Sequence, residues 1–426
     1  MKKLLITGGA RLSGTVRIHG AKNSVLPVLA ACCLCTSPCV LHNCPDIEDV
    51  RTALAILESL GCKTRREGST LCIDASGLSR SRVEKRLAGK MRSSILFLGA
   101  LLARCGKAEL ALPGGCPLGE RPIDLHVKSL AKLGARFRFE KGILQAAWRE
   151  RRDGDIFLSI PSVGATENLL LACALGSGTV TLHGAAREPE ITDLIGFLRA
   201  AGADIRGAGS GDITIRGVKK LHGATYTILP DRIETATYLC MAAGCGGEVE
   251  LQRCDGRLLA PVIACLREAG CEINCDGSEI ALKSSGRLTA VFPVTTAPYP
   301  GFPTDAQALL MAAVLRAKGE SVFQETVFER RFLHVPELQK LGADIALSGK
   351  TARVRGVAHL HGAMLRAEDL RGAAALITAG LLAEGESEVL GLSHLARGYE
   401  NLEQNLKNLG AAIKSVDIPA PFVYNT

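Results

Sequence analysis

The sequence predicts an α/β fold of two similar domains, each assembled from three copies of one unit of roughly 70 residues. Three observations carry this expectation. A Leu-x-x-Leu/Ala-Gly helix ending recurs at Gly61, Gly134, Gly202, Gly270, Gly342 and Gly410, at spacings of 73, 68, 68, 72 and 68 residues. An Ala- and Leu-rich segment recurs once per unit. Short alternating runs follow most of the glycines, such as Lys63-Thr64-Arg65 and then Leu71-Cys72-Ile73-Asp74, and read as strand, turn, strand.

Taken in order, each unit opens with the Ala/Leu-rich helix. The six are Leu26–Cys35, Ser94–Arg104, Thr166–Leu175, Thr235–Ala243, Ala306–Lys318 and Ala373–Ala383. Apolar residues cover nearly the whole circumference, so these helices are expected to be buried. A short strand follows, as in Val180-Thr181-Leu182-His183. A connection then leads into an amphipathic helix, closed by the repeat glycine in the left-handed position after the helix end. A unit of this size cannot bury an all-apolar helix alone. Three buried helices per half, with sheets outside and a cleft between halves, is the expected grouping. A continuous solenoid is the other arrangement, although the period is long for the usual solenoid repeats.

The composition suits a globular chain: 426 residues, 47% hydrophobic and 22% charged. The longest apolar stretches, Val25–Cys35 and Ile95–Ala103, are about half of the ~20 residues that a membrane span needs. Lys2-Lys3 with Leu4-Leu5-Ile6 is too short for a signal-peptide core. A soluble cytoplasmic protein is therefore expected, with no membrane association. The sixteen cysteines lack paired C-x2-C spacing and are diluted over a long chain. Cys32, Cys33, Cys35, Cys39 and Cys44 read as buried, reduced, small apolar residues. The net charge of +8 permits an anionic partner. Paired basic residues with few aromatics argue against nucleic acid.

Two glycine-rich segments imitate nucleotide loops. Leu4-Leu5-Ile6-Thr7-Gly8-Gly9 is followed by a strand-like run, so it reads as a hairpin turn. Gly207-Ala208-Gly209-Ser210-Gly211 reads as a turn between strands.

Charged and special residues gather just before the buried helices: Ala21-Lys22-Asn23-Ser24, Met91-Arg92-Ser93-Ser94, Pro161-Ser162-Val163-Gly164-Ala165-Thr166, Asp231-Arg232, Pro303-Thr304-Asp305 and Leu370-Arg371. Asn23, Ser93, Thr166 and Asp305 fit helix N-caps. Lys or Arg at the positive end of a helix fits that role poorly, and a bound anion compensates such cations. The second concentration is the Leu112–His126 connection, longer than its counterpart from Asn43 to Asp46. Its Cys116, among glycines and near Arg121, reads either as a reactive thiol or as a passive loop thiol. Arg187-Glu188-Pro189-Glu190, Phe328-Glu329-Arg330-Arg331 and His394–Glu400 occupy the same strand-to-helix link in their own units.

These residues resemble the enolpyruvyl transferase family, and in particular its UDP-N-acetylglucosamine 1-carboxyvinyltransferases, over essentially the whole chain. The motifs are Gly20-Ala21-Lys22-Asn23, Leu112-Pro113-Gly114-Gly115-Cys116, Arg121-Pro122-Ile123-Asp124-Leu125-His126, Arg187-Glu188-Pro189-Glu190-Ile191, Leu229-Pro230-Asp231-Arg232-Ile233-Glu234-Thr235, Phe302-Pro303-Thr304-Asp305 and Glu325-Thr326-Val327-Phe328-Glu329. The resemblance implies a two-domain inverse (inside-out) α/β barrel with three units per domain. Its expected domains are residues 22–229, carrying the Cys116 loop, and residues 1–21 with 230–426. It implies transfer of enolpyruvyl from phosphoenolpyruvate to the 3′-hydroxyl of UDP-N-acetylglucosamine, by addition and elimination through a tetrahedral intermediate. That reaction is the first committed step of peptidoglycan synthesis, and so of cell-wall biogenesis, cell shape, the cell cycle and cell division. No cofactor, metal or obligate protein partner is implied.

Residue by residue, the resemblance makes Lys22, Asn23, Arg121 and Arg397 the holders of phosphoenolpyruvate. Cys116 becomes the proton donor and the thiol alkylated by fosfomycin, and Asp305 the acceptor of the hydroxyl proton. Arg92, Arg121, Pro122, Ile123, Asp124, Leu125, Ser162, Val163, Gly164, Val327 and Phe328 become UDP-sugar contacts. Arg371, with Asp231, Glu188, Arg331 and Asp369, shapes the site. One departure is Ile160, where some members carry a nucleotide-contacting Lys. The competing readings are the sister enzyme acting on shikimate 3-phosphate and a non-catalytic UDP-sugar-binding paralogue.

Overall fold

The structure, a computed structural model, describes residues 2–114, 122–291 and 293–418. The chain forms two compact units, one of residues 19–114 and 122–231, the other of residues 2–18 and 232–418 without 292. Each unit has one contiguous apolar core. Among the described residues no helix is long and apolar enough to cross a membrane.

The core of residues 19–231 is built on three buried helices, Lys22–Cys32, Leu96–Cys105 and Val163–Cys173. Each touches the other two, so three repeats close on themselves and a continuous solenoid is excluded. The second unit repeats this with Arg232–Cys245, Thr304–Ala313 and Leu370–Leu382. Each triad of helices forms the centre of an inverse barrel, covered by amphipathic helices such as Glu48–Ser59, Asp124–Lys132 and Pro189–Ala200 in the first unit.

Among the described residues, six four-stranded sheets complete the repeats. In a typical one, Gly154–Phe157 runs parallel to Thr179–His183, which pairs antiparallel with Asp212–Arg216, itself antiparallel to Asp204–Arg206. Parallel neighbours need a crossover connection, and the Val163–Cys173 helix supplies it. The repeat therefore carries a leading strand before the core helix, beyond the expected helix, strand, helix, strand, strand. Such strands are only two to six residues long, as at Arg82–Val83 and Leu12–Arg17, too short or too polar to register as a pattern.

Two leading strands are exchanged along the chain. Thr225–Thr227 pairs with Cys39–His42 in the first unit, and Leu12–Arg17 pairs with Gly247–Gln252 in the second. The Gly8-Gly9 segment is consequently not a hairpin turn. Lys2–Thr7 pairs with Glu386–Leu390 and Ala412–Asp417, while Leu12–Arg17 belongs to another sheet. The Gly207–Gly211 turn does join antiparallel partners.

All six repeat glycines adopt positive φ, from 92° to 102°, one residue past the helix C-cap, where a side chain would be strained. Several core helices start earlier than their apolar pattern: at Lys22, Val163, Arg232, Thr304 and Leu370. This moves Asn23, Thr166 and Asp305 into the first turn, and Ser93 into the 3-10 turn Arg92–Ile95, so none of them is an N-cap. Capping falls to Ser162, whose Oγ accepts from the Ala165 N–H, and to Asp369, which accepts from the N–H groups of Arg371 and Gly372. Cys32, Cys33, Cys35, Cys39 and Cys44 are buried and free.

Candidate functional site

The chemistry-bearing residues form separate clusters within each unit. In residues 19–231 the first cluster lies where the chain enters and leaves. The two connecting segments pair: Ala21 N–H donates to Leu229 O at 2.7 Å, and Asp231 N–H to His19 O at 2.8 Å. Gly20 fits there because a Cβ would lie 1.7 Å from the Asn43 carbonyl oxygen. Two residues on, Lys22 opens the core helix, and its N–H donates to Asp231 Oδ2 at 3.1 Å. Its Nζ lies 2.8 Å from Asp49 Oδ2, with only 12% of the Lys22 side chain and 4% of the Asp49 side chain exposed. A cation thus stands at a positive helix end, with a buried carboxylate and an acceptor opposing it. Asn23 is half-buried beside it.

In the same first turn, Ser24 Oγ donates to Asp193 Oδ2 at 2.6 Å, Tyr226 OH donates to Asp193 Oδ1 at 2.8 Å, and Leu229 N–H donates to Oδ2 at 3.3 Å. Burial raises the Asp193 pKa, and the Ser24 and Tyr226 hydroxyls oppose that rise. Burial also holds the Glu167 carboxyl far above the usual range, reinforced by Glu190 and Glu188.

The second cluster of this unit joins Arg92, Pro122, His126 and Gly164. Arg92 Nη2 donates to Pro122 O at 3.4 Å. His126 is buried, and Asn168 Nδ2 lies 2.8 Å from its Nδ1. The amide also donates to Ile95 O at 2.8 Å, and Asn168 Oδ1 accepts from Gly99 N–H at 2.6 Å. An amide NH2 can only donate, so His126 Nδ1 accepts and the ring proton sits on Nε2. The ring abuts Gly164, where an added Cβ would lie 3.3 Å from Cε1. Burial, with Arg92 nearby, lowers the His126 pKa to about 4, so the ring is neutral at pH 7. The arrangement brings Arg92 and the 122–126 run beside the first turn of the Val163–Cys173 helix, with Ser162, Val163 and Gly164 at that turn. Asp124 points to a surface pair with Lys128 at 3.0 Å. Leu125 is half-buried in the same helix, and Ile160 is 60% exposed. Cys116 and Arg121 lie outside the described residues.

The second unit centres on Asp305. Arg331 Nη2 contacts its Oδ1 at 2.7 Å, and Arg371 Nη2 contacts its Oδ2 at 3.3 Å. Arg331 also donates to Thr304 O and stands 3.9 Å from Asp369. Both guanidiniums are almost wholly buried, whereas the Asp305 side chain is 28% exposed. Two fixed cations therefore present one accessible carboxylate at the first turn of a core helix. Arg371 lies over the Tyr399 ring at 5.3 Å, and Tyr399 OH meets Thr237 Oγ1 at 2.8 Å. The Thr237 proton goes to Ile233 O, so Tyr399 donates. Arg397 follows the Leu392–Leu395 turn two residues before Tyr399, half-buried. Val327 and Phe328 donate their N–H groups to Glu325 Oε1 at 2.8 and 2.9 Å.

Sequence reading had singled out Lys22, Asp305, Arg331, Asp369 and Arg371. It missed Asp49, Asp193, Tyr226 and Asn168, and gave Glu325 no task. Asp49 sits beside Glu48 in the first turn of an amphipathic helix, where acids are ordinary. Asn168 had the one available signal, a polar residue inside an otherwise apolar helix. Among the described residues no group of three or more His, Cys, Asp or Glu side chains is arranged to hold a metal ion.

The sequence matches the family model of EPSP synthase (3-phosphoshikimate 1-carboxyvinyltransferase) over residues 6–406. It is 46% identical over 413 residues to UDP-N-acetylglucosamine 1-carboxyvinyltransferase 2 of Caldanaerobacter subterraneus subsp. tengcongensis, spanning 97% of this chain and 99% of that protein. It is 48% identical over 412 residues to the UDP-N-acetylglucosamine 1-carboxyvinyltransferase of Gloeobacter violaceus, spanning 96% and 90%. Among solved structures it resembles the enolpyruvyl transferase NikO from Streptomyces tendae, with a TM-score of 0.89, 30% identity and 98% and 99% of the two chains covered.

Proposed function

The chain belongs to the EPSP synthase (3-phosphoshikimate 1-carboxyvinyltransferase) family and, within it, to the UDP-N-acetylglucosamine 1-carboxyvinyltransferases, and from that premise we propose that it moves the enolpyruvyl group of phosphoenolpyruvate onto the 3′-hydroxyl of UDP-N-acetylglucosamine, releasing phosphate. The observation that carries the choice of acceptor is the near-full-length identity of 46% and 48% to enzymes so named. The alternative acceptor, shikimate 3-phosphate, is not favoured by those relatives.

The reaction needs three provisions. C3 of phosphoenolpyruvate takes a proton so that C2 becomes electrophilic. The sugar hydroxyl loses its proton as its oxygen bonds to C2, giving the tetrahedral intermediate. C3 then returns a proton while the C–O bond to phosphate breaks. In this reading Lys22, Asn23, Arg121 and Arg397 hold the anionic donor, and Cys116 supplies the proton to C3. Asp305, accessible and held by Arg331 and Arg371, takes the hydroxyl proton. Arg92, Arg121–Leu125, Ser162–Gly164, Val327 and Phe328 bind the UDP-sugar, and Arg371 shapes the site around Asp305. Ile160 contributes no cation to the diphosphate, which leaves that task to neighbours such as Arg92.

The reading places the enzyme at the start of peptidoglycan synthesis, in the cytoplasm, with a role in cell division. It also makes Cys116 the target of fosfomycin, so Cys116→Ser loses labelling by the epoxide. A phosphate-release assay with purified protein tests the acceptor. Release that depends on UDP-N-acetylglucosamine supports the proposal, and release that depends on shikimate 3-phosphate overturns it.

A further inference from the structure

We propose that Glu325 is a positioning residue, locking the acceptor contacts Val327 and Phe328 to the helix turn that carries Asp305. The inference rests on the functional reading above and adds a role to a buried residue to which that reading assigns no substrate contact. Glu325 follows the strand Glu320–Gln324 and is 1% exposed. Its backbone is fixed by a bond from its N–H to Lys350 O at 2.9 Å. One carboxylate oxygen, Oε1, accepts from the N–H groups of Val327 and Phe328 at 2.8 and 2.9 Å. The other, Oε2, accepts from Thr304 Oγ1 at 2.9 Å, and Thr304 directly precedes Asp305.

The intervening Thr326 is tied as well. Its N–H donates to Thr296 Oγ1 at 2.9 Å, and its hydroxyl donates to Thr296 O. The turn is thus held at four successive residues, with Val327 42% exposed. Burying a carboxylate is costly unless hydrogen bonds to its charged form offset the loss of water. Here those bonds run to two elements at once. The carboxylate is rigid and planar, so the 327–328 turn and the start of the Thr304–Ala313 helix cannot shift independently. Acceptor binding at the turn is thereby registered with the proton acceptor on the helix.

The test uses steady-state kinetics of the full chain, varying each substrate. Glu325→Ala raises KM for UDP-N-acetylglucosamine on the order of tenfold, from the loss of charged hydrogen bonds, and leaves KM for phosphoenolpyruvate unchanged. Glu325→Gln restores the wild-type value, because its amide oxygen still accepts both N–H groups and its NH2 can donate to Thr304 Oγ1. Thr304→Val breaks only the arm to the helix, so kcat falls while the UDP-sugar KM holds. A folded Glu325→Ala variant with unchanged UDP-sugar KM, or a Gln variant no better than Ala, overturns the inference. Should the Ala variant fail to fold, Thr304→Val decides: an unchanged kcat overturns it, and a lowered kcat with KM intact supports it. Wild-type protein that does not turn over UDP-N-acetylglucosamine removes the functional reading itself. Turnover by wild type with an indifferent Glu325→Ala removes this inference alone.

Discussion

Asp49 Oδ2 stands 2.8 Å from Lys22 Nζ, and both side chains are largely buried. The carboxylate holds the ammonium over the first turn of the Lys22–Cys32 helix, whose N-terminal dipole would otherwise push a cation away. Asp49→Asn keeps the shape and removes the charge. The expected result is a fall in kcat/KM for phosphoenolpyruvate of about tenfold, within the range for a lost charged hydrogen bond, with KM for the UDP-sugar unmoved. A change confined to the UDP-sugar KM would show that Asp49 does not act through Lys22.

Asp305 is gripped by Arg331 and Arg371 and remains partly accessible. Asp305→Asn keeps the shape but cannot take the hydroxyl proton. Turnover is expected to drop by roughly 10²–10⁴-fold, the span of general-base catalysis, with the circular dichroism spectrum retained. Near wild-type turnover in a folded variant would refute the assignment.

The His126 pKa is depressed to about 4 by burial, and His334 is depressed to about 4 for the same reason. The unfolded chain binds these protons near pH 6.5, the folded protein only near pH 4, so the unfolded state gains protons first as pH falls. Stability from these two rings is full above about pH 6.5 and drains as pH drops towards 4. Urea unfolding at pH 7.5, 6 and 5 measures the slope. His126→Asn should flatten it, and an identical slope in that variant would remove His126 as a cause.

Glu167 gives the opposite sign. Its raised pKa means that the folded protein keeps a proton the unfolded chain has lost. Its cost therefore begins as pH rises through the ordinary carboxyl range of about 4.3. Glu167→Gln should raise the melting temperature at pH 8, with the gain shrinking at pH 5. A gain independent of pH would point to packing instead.

The parts of this molecule legible in the sequence are those with a period. The repeat glycines are readable because a left-handed helix end admits few other residues, and the core helices because their circumference is apolar. The helix starts were displaced because Lys22, Arg232 and Arg371 interrupt the apolar pattern while still lying inside their helices. The Gly8-Gly9 error has a topological cause: adjacent strands went to different sheets, and no local signal reports that. Pairings across long separations, such as Lys22 with Asp49, Ser24 with Asp193 and Glu325 with Thr304, depend on how the repeats pack, so residue type alone could not assign them.

The most direct measurement is ¹³C NMR of the reaction between phosphoenolpyruvate labelled at C2, UDP-N-acetylglucosamine and the purified protein. The account predicts that the label moves into a vinyl ether on the sugar nucleotide, one equivalent for each phosphate released. Label that stays in phosphoenolpyruvate, or that moves only when shikimate 3-phosphate is the acceptor, would contradict it.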